Sequence, residues 1–230
     1  MTDISQSATC SKCPFSYENN IFTEEDIILI NSNKVELNYR QGDIIIKQGA
    51  FASQIYLLKT GLVKIFIEAK KNQNVLLKIL PKRSLIALPL LGDLKSYSFS
   101  AVALCDTVIC QVRIDSLLEI MSRNVKVSNY FINWFSIDHL FLYDKIAVMA
   151  TRNNHGKLAS VLRYLSGEKF KDTNVFEFIT RKDLAEMAAI SIESTNKILQ
   201  EMKNDLLIKI DNKKIEILKP DLIAFLSEVG

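Results

Sequence analysis

Residues 180–203, Thr-Arg-Lys-Asp-Leu-Ala-Glu-Met-Ala-Ala-Ile-Ser-Ile-Glu-Ser-Thr-Asn-Lys-Ile-Leu-Gln-Glu-Met-Lys, constrain the fold more than any other stretch of this chain. They predict two short helices meeting at a tight bend. Thr180 with Asp183 forms an N-cap pair for the first helix, and Ser191 with Glu193 and Ser194 starts the second about one turn after the first ends. Leu184, Met187 and Ala188 face inward on the first helix, as do Ile198, Leu199 and Met202 on the second. Ile192, Glu193, Asn196 and Lys197 are left on the opposite side, where a helix packed into a core would not carry them. A helix presented in this way fits the major groove of DNA. On the helical pattern alone, any pair of amphipathic helices would fit as well.

The neighbouring segments separate these alternatives. Leu207–Ile210 and Ile215–Leu218 are short β-branched runs joined by the turn-rich Asp-Asn-Lys-Lys, so they read as a hairpin. Two helices followed by a hairpin make a winged helix-turn-helix. Upstream, from Lys34 to about Val112, short strand-like runs follow one another closely: Ile44–Ile46, Ile55–Leu58, Leu62–Ile67, Val75–Leu80, Phe99–Leu104 and Thr107–Val112. Such runs favour a compact antiparallel β-barrel or sandwich of cupin-like or jelly-roll type. Gly42, Gly49 and Gly61 fall at the turns, where a positive φ is often required.

A long helix is expected between these parts, from about Val127 to Ala150. Tyr130, Trp134, Ile137, Phe141 and Val148 make one apolar stripe, interrupted by Asp144, and Phe131, Phe135, Leu142, Ile146 and Met149 make a second. A helix with two apolar faces needs two covers. One is the barrel of its own subunit, and the simplest choice for the other is the same helix of a second copy. Burial inside one larger domain is the alternative, but the flanking parts look too small to enclose it. Arg152, Asn153, Asn154 and Gly156 break the pattern and mark a hinge before Lys157–Leu165 resumes as helix. The expected class is therefore α+β, with a barrel sensor domain over 1–126, a dimerisation helix over 127–151 and a winged helix-turn-helix DNA-binding domain over 152–230.

Composition agrees with a cytoplasmic protein. The 230 residues suffice for two modest domains, and 48% hydrophobic content supplies two cores. Lys plus Arg exceed Asp plus Glu by 29 − 26 = 3, so net charge alone does not point to nucleic acid. The local cations Arg181, Lys182, Lys197 and Lys203 carry more information. No apolar run approaches the roughly 18 residues needed to span a bilayer, and no signal sequence is visible, so no membrane partner is expected. An enzyme is disfavoured as well. The chain has no Ser-His-Asp order, glycine-rich phosphate loop, HExxH or paired-carboxylate motif, and its two separated histidines offer little for acid-base work.

The phrase Tyr39-Arg40-Gln41-Gly42-Asp43-Ile44-Ile45-Ile46-Lys47-Gln48-Gly49, followed by Ile55-Tyr56-Leu57-Leu58-Lys59-Thr60-Gly61-Leu62-Val63-Lys64, resembles the glycine-punctuated barrel of the Crp/Fnr family of bacterial transcription regulators. The resemblance runs from about residue 20 to the C-terminus, with barrel, long helix and winged helix-turn-helix in the family's order. It implies a homodimer on a near-palindromic double-stranded operator, half-sites about 34 Å apart. It also implies contact with RNA polymerase and an effector that reorients the DNA domains about the hinge.

The second helix then acquires roles. Glu193, an acceptor, suits the exocyclic amine of cytosine, and Lys197 suits the acceptors of guanine. Ile192-Glu193-Ser194-Thr195-Asn196-Lys197 is similar to the Fnr branch, which has an aliphatic residue before the glutamate. Two departures stand out. Lys197 occupies a position usually held by arginine and loses its bidentate fork. Ala189 stands where glycine is common in the bend. Thr180, Arg181 and Ser191 are expected on phosphates, which position without reading sequence.

For the effector, the resemblance is most informative where it fails. Cyclic nucleotide binding in the family uses a Gly-Glu pair and an Arg-Ser or Arg-Thr pair. Here Leu88 and Pro89 replace the first, and Phe99 with Ser100 aligns with the second. An apolar ring cannot neutralise a buried phosphate, so cyclic AMP is not expected, and an apolar small molecule near Leu88, Pro89 and Phe99 is an alternative. Cys10 and Cys13, with Cys105 and Cys110, resemble the Fnr cysteine set that holds an iron-sulfur cluster, although Fnr has three N-terminal cysteines where this chain has two. Structural or redox-active thiols with no cofactor are therefore the preferred reading, and the cluster is the alternative. His139 and His155 read as packing or surface residues, with a haem sensor as the alternative. A further alternative is a ligand-binding barrel that acts through protein contacts rather than DNA.

Overall fold

The computed structural model describes residues 4–5, 21–69, 74–87, 94–212 and 214–230. Cys10, Cys13, Leu88 and Pro89, named above, lie outside the described residues. Contacts divide the chain into two compact units, residues up to 67 with 79–140, and 68–78 with 141–230.

The first unit holds two antiparallel sheets except for the strand residues that fall in 68–78. One has the order β1-β2-β9-β4-β7, formed by β1 (Ile4–Ser5), β2 (Lys34–Tyr39), β9 (Thr107–Arg113), β4 (Gln54–Thr60) and β7 (Leu85–Ile86). The other has the order β3-β8-β5-β6, formed by β3 (Ile44–Ile46), β8 (Ser100–Ala103), β5 (Leu62–Glu68) and β6 (Asn74–Pro81). β9 is the spine of the first sheet, pairing Lys34↔Val112 through Tyr39↔Thr107 on one side and Gln54↔Arg113 through Leu58↔Ile109 on the other. The core holds Ile55, Leu58, Leu62, Ile65, Leu76, Ile79 and Ile109, all essentially without solvent contact. The six expected strand runs are all present. β2, β7 and the two-residue β1 are additions to that expectation.

Gly61, between β4 and β5, shows why that turn needs glycine. Its φ is +94°, and a Cβ there would lie 2.3 Å from Thr107 Oγ1 and 2.8 Å from the Asp106 carbonyl. Gly42 and Gly49 also take positive φ, at +90° and +84°, but face open space. At those two turns the backbone conformation alone selects glycine.

Two helices of this unit have no counterpart in the sequence expectations: α1 (Glu24–Ser32) and α2 (Ile114–Arg123). Thr23 caps α1 in a reciprocal box with Asp26. Asp26 is 1% exposed and also takes hydrogen bonds from Arg123 Nη2 at 3.0 Å and Asn124 Nδ2 at 2.8 Å. Burial alone would raise the pKa of this carboxyl. Hydrogen bonds from Thr23 and Asn124 and the charge of Arg123 outweigh that and hold it below the usual carboxylate value.

α3 spans Val125–Thr151, two residues earlier and one later than expected. The apolar stripes are redistributed. Phe131, assigned above to the same face as Phe135 and Ile146, is buried together with Val127, whereas Ile132, Phe135, Ile137 and Leu140 stand exposed. Tyr130 meets Phe22, Phe131 and Trp134 edge-on, which anchors the first half of the helix within its own unit.

In the second unit, α4 (Asn154–Leu165) follows a break at Arg152 and Asn153. The Asn153 side chain accepts from the amides of His155 at 2.9 Å and Gly156 at 3.1 Å, the pattern that starts a new helix. Asn154 and Gly156 therefore belong to the first turn of α4 instead of interrupting the helix. Gly156 is small for another reason: a Cβ on it would lie 2.7 Å from the Gly230 carbonyl carbon, where α8 (Pro220–Val229) ends against it. Short α5 (Val175–Phe178) leads into α6 (Arg181–Ala188) and α7 (Ile192–Asn204), followed by the hairpin β10 (Ile208–Asp211) and β11 (Lys214–Ile217). Leu184, Met187, Ala188, Ile198, Leu199 and Met202 are all buried, so the inward faces of α6 and α7 are as expected.

Candidate nucleic-acid interface

The placement of α7 begins with the cap of α6. Thr180 and Asp183 form a capping box, with the Thr180 amide donating to Asp183 Oδ2 at 2.8 Å and the Asp183 amide donating to Thr180 Oγ1 at 3.1 Å. The Thr180 hydroxyl also donates to Asp183 Oδ2 at 2.6 Å, so this side chain is occupied within the cap. Arg181 follows at the first helical position, half-buried, and burial draws its pKa below the ordinary guanidinium value.

α6 ends at Ala189, which takes the left-handed conformation at φ 53° and ψ 45°. Its amide donates to the Ala185 carbonyl, and so does the Ile190 amide at 3.1 Å. The bend thus has the geometry a glycine would supply, at the cost of a Cβ in the left-handed region, about 1 kcal/mol or more. Ser191 then caps α7, its hydroxyl oxygen accepting from the Ser194 amide at 3.1 Å. Thr195 is fully buried and donates to the Ser191 carbonyl at 3.0 Å, fixing the inward side of the first turn.

The outward side of α7 carries Ile192, Glu193, Asn196 and Lys197, all exposed. Glu193 lies in the first helical turn. Its own backbone amide, then the Ser191 hydroxyl, lower its pKa, so it stays an anionic acceptor at neutral pH. Lys197 approaches Glu201 one turn on, at 3.9 Å. An exposed pair of this kind is worth at most about 1 kcal/mol and leaves the ammonium free to exchange partners. Glu201 also accepts from His155 Nε2 at 2.8 Å, a contact between the start of α4 and the middle of α7 that the spacing of these residues does not reveal. His139, the other histidine, packs at a 41° tilt against Phe135 with ring centroids 4.9 Å apart.

The remaining candidates lie in the first unit. Phe99 is half-buried, and Ser100 is buried with its hydroxyl oxygen accepting from the Gln48 amide at 2.9 Å. Cys110 is buried on β9 with Sγ 3.9 Å from Glu36 Oε2, and Cys105 is partly exposed in the turn before that strand. Among the described residues, no group of three or more His, Cys, Asp or Glu side chains is placed to hold a metal ion.

Comparison with known proteins agrees with this layout. Residues 36–124 match the family described as the cyclic nucleotide-binding domain, and residues 156–224 match the Crp-like helix-turn-helix domain. The chain is 24% identical over 201 residues to the anaerobic regulatory protein of Bacillus subtilis (strain 168), which covers 85% of this chain and 84% of that protein. The solved structure of FixK2 from Bradyrhizobium japonicum superposes with a TM-score of 0.76 at 15% identity, covering 86% of this chain and 98% of the other. A regulator of the Crp/Fnr family from Eubacterium rectale superposes with a TM-score of 0.72 at 19% identity, covering 91% and 96%. These two likenesses establish the fold.

Proposed function

The chain belongs to the Crp/Fnr family of transcription regulators, and on that basis we propose that it is a sequence-specific DNA-binding homodimer that inserts α7 into the major groove. The observation that carries this reading is the sorting of side chains around α7: Thr195, Ile198, Leu199 and Met202 are buried, while Ile192, Glu193, Asn196 and Lys197 form a projecting edge. Glu193 accepts from a cytosine amine, Lys197 donates to guanine, and Ile192 offers an apolar contact to a thymine methyl. Arg181, at the start of α6, holds a phosphate that sets the register, and the exposed Ser191 hydroxyl exchanges its Ser194 Oγ partner at 3.1 Å for a second phosphate on docking.

Dimerisation falls to α3. Val125, Ile132, Phe135, Leu140, Tyr143 and Ile146 expose 71%, 59%, 41%, 65%, 60% and 63% of their surfaces, and Val125, Ile132 and Ile146 lie on a seven-residue spacing that also includes His139. That spacing suits a parallel pairing of two long helices. Two α7 helices then reach successive major grooves of a near-palindromic operator about one helical turn apart. The working division is a sensor domain over 1–126, the dimerisation helix over 127–151 and the DNA-binding domain over 152–230, acting in the cytoplasm with RNA polymerase as the downstream contact.

The sensor domain does not use cyclic AMP in this reading. Phe99 stands where the family's phosphate-binding cation would be, and an unpaired buried phosphate costs several kcal/mol. Calorimetric titration with cyclic AMP is expected to give no micromolar binding. The DNA-binding reading is tested by mobility shift with a selected inverted repeat. Glu193→Ala with Lys197→Ala is expected to abolish the specific shift, and a doubly substituted protein that retains it would overturn the proposal.

A further inference from the structure

The second unit contains a cleft of about 580 Å³ at the meeting of α3, α4, the end of α6 and the end of α8. This volume lies within the roughly 300–1,000 Å³ typical of small-molecule sites. Part of the lining is apolar and aromatic. Phe141 and Tyr164 pack at a 40° tilt with centroids 4.9 Å apart, and Val148 continues the apolar lining along α3. Cations are interleaved with it: Lys145 lies between Phe141 and Val148 along α3, Arg152 stands just past the end of that helix, and Lys157 comes from α4.

Two of these cations are held in unusual states. Lys145 Nζ donates to the Met187 carbonyl at 2.8 Å, and burial pulls its pKa down to about 8. One of its three N–H bonds is therefore fixed, and two remain for a guest. Arg152 Nε is buried with no hydrogen-bond partner among the described residues. A buried guanidinium nitrogen without an acceptor loses its hydration for nothing in return, unless a ligand supplies the acceptor. The cleft also contains Arg163, Asp144 and Glu228, but Glu228 is tied to Arg163 at 2.9 Å. Asp144 is then the one carboxylate facing Lys145, Arg152 and Lys157 without an ion pair among the described residues, which leaves positive charge in excess.

We propose that this cleft is a binding site for a small organic anion, an aromatic or aliphatic body carrying one acidic group, whose acid is held by Lys145 and Arg152 while its body lies on Phe141, Val148 and Tyr164. This site is separate from the barrel. It is built on the helix that leads into the DNA-reading domain and touches, through Lys145 and Met187, the last turn of α6, next to the strained bend at Ala189. An occupant would thus act on the orientation of α7 directly.

The test uses the full chain without DNA, so its result stands apart from the DNA-binding reading. The probe is 8-anilino-1-naphthalenesulfonate, an aromatic anion, compared with neutral N-phenyl-1-naphthylamine. The anion is expected to bind saturably, and Lys145→Met and Arg152→Met should each weaken it at least fivefold, with the neutral dye changed less than twofold. Arg152→Lys keeps the charge and should retain most of the affinity, and Val148→Trp fills the cleft and should weaken both dyes. Anion affinity should fall between pH 7 and pH 9 as Lys145 deprotonates, and this dependence should vanish in Lys145→Met. Charge variants with unchanged circular dichroism that bind the anion within twofold of the parent would overturn the proposal, as would undiminished binding of both dyes to Val148→Trp.

Discussion

Gly61 in the barrel and Ala189 in the helix-turn-helix domain both place the backbone at positive φ, and the chain resolves the two cases in opposite ways. At Gly61 the conformation coincides with a close approach, since a Cβ would collide with Thr107 and the Asp106 carbonyl, and no residue but glycine is tolerated. At Ala189 the position is exposed, so the Cβ has room, and the strain comes from the left-handed backbone alone. The difference teaches where each unit tolerates strain. The barrel removes it at a turn pinned between strands, whereas the bend between α6 and α7 carries it.

That contrast can be broken by substitution. Gly61→Ala meets both steric collision and positive φ and should destabilise the barrel by about 4 kcal/mol, measured by urea denaturation. A loss below about 1 kcal/mol would mean that β9 yields at Thr107. Asp26→Ala takes an acceptor from the Thr23 amide, from Arg123, which keeps only the exposed Glu25 at 3.8 Å, and from Asn124, which keeps the Ile21 carbonyl, and should cost about 2 kcal/mol. It should also flatten the acid limb of the stability curve. The folded carboxyl is held below its unfolded value of about 3.9, so its contribution is complete above that pH and is lost as pH falls through the folded value. Ala189→Gly should do the reverse of Gly61→Ala and stabilise the second unit by about 1 kcal/mol. No gain, or a loss, would show that the bend is relaxed and remove the contrast. The smallest effect is expected for Lys197→Arg, which restores the bidentate fork and should tighten the cognate operator roughly fivefold without changing stability.

The two units also differ in how much of them was legible from residues alone. The pair α6 and α7 was readable because its signals are local. Thr180 with Asp183, Ser191 with Ser194 and the three- and four-residue spacing of the buried side chains lie within one or two turns of each other. In the barrel the runs of β-branched residues marked six strands. β2 escaped notice because Lys-Val-Glu-Leu-Asn-Tyr is half polar and owes its place to pairing with β9, some 70 residues away in sequence. α1 was hidden by Ile27, Ile28, Leu29 and Ile30 in a row, which has no helical period, although Thr23 and Asp26 were a capping signal in plain view.

The cleft beneath α3 could not be read in advance for the same reason as β2. Lys145, Arg152, Lys157 and Met187 come together only when α3, α4 and α6 pack. Gly156 shows the converse error, since a glycine that looks like a helix breaker is instead a contact point for the end of α8.

The central claim is that α7 reads DNA as one half of a symmetric pair. Selection of bound duplexes from a random-sequence pool tests it most directly, comparing the parent chain with Glu193→Ala/Lys197→Ala. The account predicts enrichment of an inverted repeat with half-sites about 10 base pairs apart, and a loss of at least tenfold in affinity for that repeat in the double variant with its helical signal intact. Failure to enrich any repeat, or equal affinity of the two proteins for it, would contradict the account.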